Sequence, residues 1–205
     1  MPSLNHFDLL APVYDLLIKS PGSERLAQMA DLPISGRLLD AGGGTGRIAE
    51  GLVERVDRVV VSDSSLQMLR QARSKKGLDL VGGETERLPF PDGAFERVVM
   101  VDAFHHLADQ ARSLAELWRV LIPGGLLVIE EPDIRRIAVK LVALAEKLTL
   151  FRSHFIPAER IARVLREYNA QVTVHREGHT AWVVGAKPIS KYHPDEPLLD
   201  TINGS

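Results

Sequence analysis

Between residues 37 and 130 the chain alternates short apolar or β-branched runs with longer helical patterns, and this alternation leaves few folds open. The runs at 37–40, 58–62, 79–82, 97–101 and 126–130 read as strands, and the segments at 46–56, 65–75 and 109–121 read as helices. Val98-Val99-Met100-Val101 is apolar at every position, the pattern of a strand covered on both faces. Strands that take turns with helices imply parallel crossover units. The expected architecture is therefore α/β, a doubly wound, mostly parallel sheet. A helix around 158–168 follows, then strand-like runs at 172–175 and 181–186 with no helix between them. Those two are expected to pair as an antiparallel hairpin at one edge, bringing the sheet to seven strands.

A sheet of this size and its helices account for most of the 205 residues, so one domain is expected. Lys plus Arg number 25 against 27 Asp plus Glu, a net charge of −2, and no basic field speaks for nucleic acid as a partner. The absence of cysteine excludes a disulfide framework, thiolate metal sites and cysteine chemistry. No His/Asp/Glu set has ligand spacing either, so no metal is expected. The opening residues, with Pro2, Asn5, His6 and Asp8, lack the basic-then-apolar pattern of a secretory signal, which makes a cytoplasmic location the expectation. Segment 134–151 is the longest apolar-leaning stretch, but Arg135, Arg136, Lys140, Glu146 and Lys147 interrupt it, and no transmembrane span is expected.

The sharpest local signal is Leu38-Leu39-Asp40-Ala41-Gly42-Gly43-Gly44-Thr45-Gly46-Arg47, a strand running through a glycine turn into a helix. Glycines at 42, 44 and 46 permit a tight turn and a close approach of ligand to backbone. In open α/β sheets such a loop lies at the carboxyl ends of the strands, where ligands bind. The dinucleotide fingerprint fits poorly, because counting from Gly42 places Arg47 where glycine or alanine is required. No Gly-Lys-Ser/Thr follows, which excludes a phosphate-binding P-loop. Instead Asp40 precedes the glycines, Asp63 ends the second strand with the geometry to accept both hydroxyls of a ribose, and Glu84 and Thr85 follow the third strand, where an adenine amine could donate. Acidic strand ends of this kind suit a cationic nucleoside.

Six segments in order carry a resemblance to a known family. They are Phe7-Asp8-Leu9-Leu10-Ala11-Pro12-Val13-Tyr14-Asp15, the loop from Asp40 to Gly46, Asp63-Ser64-Ser65-Leu66-Gln67-Met68-Leu69, Gly83-Glu84-Thr85-Glu86-Arg87-Leu88-Pro89-Phe90-Pro91-Asp92, Phe104-His105-His106-Leu107 and Arg119-Val120-Leu121-Ile122-Pro123-Gly124-Gly125. Together they resemble the class I S-adenosylmethionine-dependent methyltransferases, in particular the branch of the ubiquinone and menaquinone biosynthesis C-methyltransferases. The resemblance implies a Rossmann-like methyltransferase domain over 1–187 with amino-terminal helices and a helical insertion or lid at 134–152; residues 188–205, with Pro188, Pro194 and Pro197 and no periodicity, are expected to be a flexible tail. The same resemblance implies S-adenosyl-L-methionine as cofactor, with Gly42, Gly43, Gly44 and Gly46 shaping the loop around its methionine part and Asp40 ordering that loop. Asp63 would hold the ribose, Ser64 would pack on the adenine, Glu84 and Thr85 would meet the adenine edge, and Tyr14 would close over the cofactor. Glu84 departs from the aspartate more common in relatives. Pro123-Gly124-Gly125 is expected to be a turn between helix and strand.

Methyl transfer is an in-line displacement, so alignment is the protein's main task, with a base needed where a ring carbon must lose a proton. His105 and His106 are the candidates, since imidazole titrates near neutral pH; they could equally be a packed structural pair. Asp102 could position the methionine end or cap its turn. Segment 134–152 could pack on the core or on a second subunit of a homodimer, cover the acceptor pocket, or rest on a membrane surface. The expected reaction is methyl transfer to a small, apolar acceptor such as a quinone-type ring. The alternatives are a nucleotide-dependent oxidoreductase on a similar fold and a non-catalytic S-adenosylmethionine-binding protein.

Overall fold

The computed structural model describes residues 22–133 and 154–189. Seven strands form one sheet: β1 (Arg37–Ala41), β2 (Arg58–Asp63), β3 (Leu78–Gly82), β4 (Phe95–Val101), β5 (Leu121–Pro132), β6 (Gln171–Glu177) and β7 (Thr180–Ala186). Their order across the sheet is β3-β2-β1-β4-β5-β7-β6. Pairs among β1 to β5 are parallel, whereas β7 runs antiparallel to both β5 and β6, so the expected hairpin forms the far edge.

Neighbouring residues of the central strands serve opposite faces, which is why runs such as Val59-Val60-Val61 and Val98-Val99-Met100 are apolar without alternation. On one face Leu39, Val98, Leu127 and Ile129 meet Leu114 and Leu117 of α4 (Gln110–Val120) and Ile161 and Leu165 of α5 (Ala158–Glu167). On the other, Leu38, Val99 and Val128 meet Leu26 of α1 (Ser23–Met29), Ala49 of α2 (Arg47–Glu50) and Leu69 of α3 (Leu66–Ala72). Each fully buried leucine of this kind contributes about 1.5–3 kcal/mol. Wrapping in both directions from β1 places the turn after β1 beside β4, where the strand order reverses. Ligand clefts open at such a point.

Two local expectations are corrected. The helix expected over 46–56 stops at Glu50, because Gly51 ends it and the chain tightens into three-residue hydrogen bonds, Gly51 N–H to Ile48 O (3.1 Å) and Leu52 N–H to Ala49 O (3.0 Å). A β-carbon on Gly51 would stand 2.5 Å from Ser23 Oγ, so close packing of α1 requires this glycine. Pro123-Gly124-Gly125 is not a turn between helix and strand; α4 passes directly into β5 at Leu121. Gly124 donates to Lys187 O and Lys187 N–H donates to Gly125 O, both at 2.9 Å, so the ladder holds these residues in the sheet.

The loop that follows β3 is pinned to α4 chiefly by Arg119, with Glu116 and Arg112 beside it. Arg119 donates to Leu88 O (3.1 Å), Phe90 O (2.8 Å), Asp92 Oδ1 (2.9 Å) and both oxygens of Glu116 (2.7 and 2.8 Å). The Glu116 carboxylate in turn accepts Leu88 N–H at 2.9 Å. Only a planar fork of donors can reach all of these partners at once. Arg119→Lys is therefore expected to lose about 2–4 kcal/mol of stability despite keeping its charge, read from the midpoint and slope of urea unfolding; a change below ~0.5 kcal/mol would show that the loop holds without the fork.

Candidate functional site

Residues 42–46 reverse the chain at the end of β1, and Gly42 (φ 70°), Gly44 (φ 56°) and Gly46 (φ 71°) all adopt the left-handed region that other residues avoid. The amides of this turn face β2: Gly42 N–H and Gly43 N–H reach Ser62 O at 2.7 and 3.3 Å, and Gly44 N–H reaches Asp63 Oδ2 at 2.9 Å. The other oxygen of Asp63 accepts Ser65 N–H at 2.7 Å, just ahead of α3, whose first turn is capped by Ser65 Oγ on Met68 N–H at 3.2 Å. One carboxylate thus joins the glycine turn to the α3 cap. Amides that would grip a pyrophosphate are already engaged, a physical reason for the poor dinucleotide fit.

A cleft of about 450 Å³ opens over this joint, within the usual range for small-molecule sites. Asp40, Gly42, Gly43, Gly44, Asp63, Ser64, Glu84, Thr85, Asp102 and His106 line it, which brings together most of the residues expected from the sequence. Gly46 is not among the lining residues; it starts α2, and a β-carbon there would press on Leu78 at 2.7 Å. His105 is also absent from the lining and is only 4% exposed. Tyr14 and segment 134–152 lie outside the described residues, as does 190–205 of the expected tail.

The floor of the cleft is acidic and poorly solvated. Asp40 is 1% exposed and its Oδ2 has no hydrogen-bond partner among the described residues. Burial, reinforced by the neighbouring charge of Asp63 and opposed by Arg47, pushes its carboxyl up to about 7. At the end of β5, Glu130 accepts the indole N–H of Trp182 at 3.0 Å and is likewise pushed up to about 7, mainly by burial. Asp102 leaves β4 with φ 53° and donates its N–H to Glu130 O at 2.9 Å, so the chain bends sharply into the turn Phe104–His106. A buried acid with an unmatched oxygen favours a cation above it.

Across the cleft, burial and the adjacent His105 depress His106 to about 3. The expected titration near neutrality does not hold for this ring, which is an uncharged hydrogen-bonding group at physiological pH. Glu86 was not singled out in the sequence, yet it lines the cleft and its Oε1 accepts Ala108 N–H (3.1 Å) and Asp109 N–H (3.3 Å), joining two walls. Arg47, Ile48, Met68, Val101, Ala103 and Leu107 complete much of the remaining lining. These residues follow the glycine turn, cap α3 or end β4, and only their place in the sheet reveals them. No group of three or more acidic or histidine side chains among the described residues is arranged to hold a metal.

Residues 39–129 match the family model of the methyltransferase domain. The demethylmenaquinone methyltransferase of Deinococcus radiodurans is 40% identical over 139 residues, 61% of this chain and 58% of that protein. The chloroplastic 2-methyl-6-phytyl-1,4-hydroquinone methyltransferase 2 of Oryza sativa subsp. japonica is 40% identical over 95 residues, 44% of this chain and 27% of that protein. This chain therefore spans less than two thirds of the length of either relative. The crystal structure of a SAM-dependent methyltransferase from Thermotoga maritima superposes with a TM-score of 0.71 at 22% identity, covering 88% of this chain and 97% of that one. Residues 39–129 thus match a methyltransferase domain, and the sheet that holds them has the fold of a solved S-adenosylmethionine-dependent methyltransferase.

Proposed function

We propose that the cleft binds S-adenosylmethionine and that the chain methylates a small apolar acceptor of quinone-ring type. The observation that carries this reading is the desolvated acid floor beneath a glycine turn whose own amides are already bonded: it selects against phosphate and for a cation. The acceptor class rests on the names of the quinone and hydroquinone methyltransferases to which this chain is similar over 139 and 95 residues. When bound, the cofactor supplies a methyl group activated by a sulfonium, and the protein's part is to hold, orient and exclude water.

The Asp40 carboxylate and the turn Gly42–Gly44 would hold the methionine part, with Asp102 at its polar end. Asp63, at the end of β2 and lining the cleft, would take the ribose hydroxyls. Ser64 would lie against the adenine, and Glu84 and Thr85 would meet its edge. Tyr14 would close over the cofactor from the amino-terminal segment. His106, neutral in the cleft wall, would accept a hydrogen bond from a ring hydroxyl; its depressed basicity argues against full proton removal, which favours a pKa near the working pH.

Calorimetry with S-adenosylhomocysteine and with NADH tests the reading: binding of the first and none of the second is expected, and the reverse would replace the methyltransferase with an oxidoreductase. Transfer of labelled methyl from S-adenosylmethionine to reduced demethylmenaquinone is expected, and turnover of no quinol tried would limit the chain to cofactor binding. Asp63→Ala should weaken S-adenosylhomocysteine binding by about 1.5–3 kcal/mol, the scale of hydrogen bonds to a charged group.

Asp40 makes a prediction with a definite sign. Its folded carboxyl titrates at about 7 against 3.8 in the open chain, so the folded state binds more protons between those values and stability falls as pH rises through them. Asp40→Asn removes that penalty. It should match the parent protein near pH 4 and exceed it near pH 8 by up to ~4 kcal/mol, while binding the cationic donor about tenfold less tightly. Equal melting curves at both pH values would show that the parent's Asp40 is not an unfavourable buried acid.

A further inference from the structure

We infer that Glu131 is a positioning residue that sets His106 in the cleft wall by holding His105 and the turn between β4 and α4. Glu131 lies at the end of β5, is 7% exposed, and uses both oxygens on this turn: Oε1 accepts Phe104 N–H at 2.8 Å, and Oε2 stands 2.6 Å from His105 Nδ1. The His105 ring lies between two others, stacked on Phe155 at 4.2 Å and 14°, and tilted against His106 at 3.9 Å between centroids. Backbone bonds complete the clamp. His154 N–H donates to His105 O at 2.6 Å, and Gln110 Nε2 bridges Phe104 O (3.1 Å) and His154 O (2.7 Å). His106 therefore inherits its place in the wall from a ring fixed on three sides.

The chemistry of Glu131 is not what stability alone requires. Burying a carboxylate costs several kcal/mol in general, and burial pushes this acid up while His105 and Phe104 N–H pull it down. Burial is the larger effect, and the proton is placed by geometry: with Phe104 N–H on one oxygen and an imidazole nitrogen 2.6 Å from the other, both oxygens accept and the shared proton sits on His105 Nδ1. A carboxylate offers acceptors to both partners; an amide of the same shape offers only one. In Glu131→Gln the amide oxygen can keep Phe104 N–H, and its NH2 group then faces Nδ1, driving the proton of His105 to Nε2. The substitution reverses one tautomer and preserves volume.

The kinetic consequence rests on the methyl-transfer reading, whereas the tautomer does not. In the full-length chain, 15N-correlated imidazole spectra should show His105 with Nδ1 protonated in the parent protein and with Nε2 protonated in Glu131→Gln. The variant should bind S-adenosylhomocysteine within about twofold of the parent and keep KM for reduced demethylmenaquinone, with kcat lowered about ten- to a hundredfold, the effect of misplacing a positioned group. Unchanged kcat with the tautomer reversed would overturn the positioning role, as would Nε2–H on His105 in the parent protein. If Glu131→Gln does not fold, the parent spectrum decides by the same criterion. Failure of the parent protein to bind S-adenosylhomocysteine would sink the donor reading on its own, since the imidazole spectra are taken without ligand.

Discussion

The carboxylate of Asp63 is the joint on which the site depends. It accepts Gly44 N–H from the turn after β1 and Ser65 N–H from the entry to α3, at 2.9 and 2.7 Å. Two chain segments separated by a strand and a helix are thereby held at one distance, and that distance sets the width of the cleft. Gly42 and Gly43 add their amides to Ser62 O, so the turn leans on β2 along its whole outer side. A turn anchored in this way has few amides left for an anion. Its recognition must come from shape and from carboxylates.

The parallel sheet explains why those carboxylates gather. β1, β2, β4 and β5 all end on the same side; Asp40, Asp63 and Asp102 stand at or next to the last residues of their strands, and Glu130 stands two residues before the end of β5. Mutual repulsion and burial both work against ionising such a group, and Arg47 offsets the field at Asp40 and Glu130. The arrangement costs stability in the ligand-free chain, as pre-organised polar sites do, and a cation above it recovers part of that cost.

The central strands were legible because they are buried on both faces and show as apolar runs between helical patterns, whereas β6, exposed at every other residue, shows only the alternation of an edge strand. The glycine turn and Asp63 were legible because a left-handed backbone and a strand-end acid leave residue-type signatures. Other features left none. Gly51 looks like an ordinary interruption in a helical pattern until Ser23 packs against it. Pro123-Gly124-Gly125 has the composition of a turn, and only pairing with Lys187, some 60 residues on, keeps it in the ladder. Glu86 and Glu131 leave no local signature, since their partners lie on segments distant in the chain that no local pattern records.

The histidine pair shows where sequence proximity stops being informative. His105 and His106 are adjacent and were equal candidates, yet successive residues of a 3₁₀ turn point about 120° apart, and here one ring enters the core while the other meets the cleft. Their environments then diverge: the inner ring gains a carboxylate at 2.6 Å, and the outer one loses its basicity to burial and to its neighbour. The outer ring thus stays uncharged in the cleft wall, while the inner one is paired with an acid behind it. Charge at that wall would add to the electrostatics already committed to the acid floor opposite. Keeping it out leaves charge in the cleft to the carboxylates that line it and to Arg47.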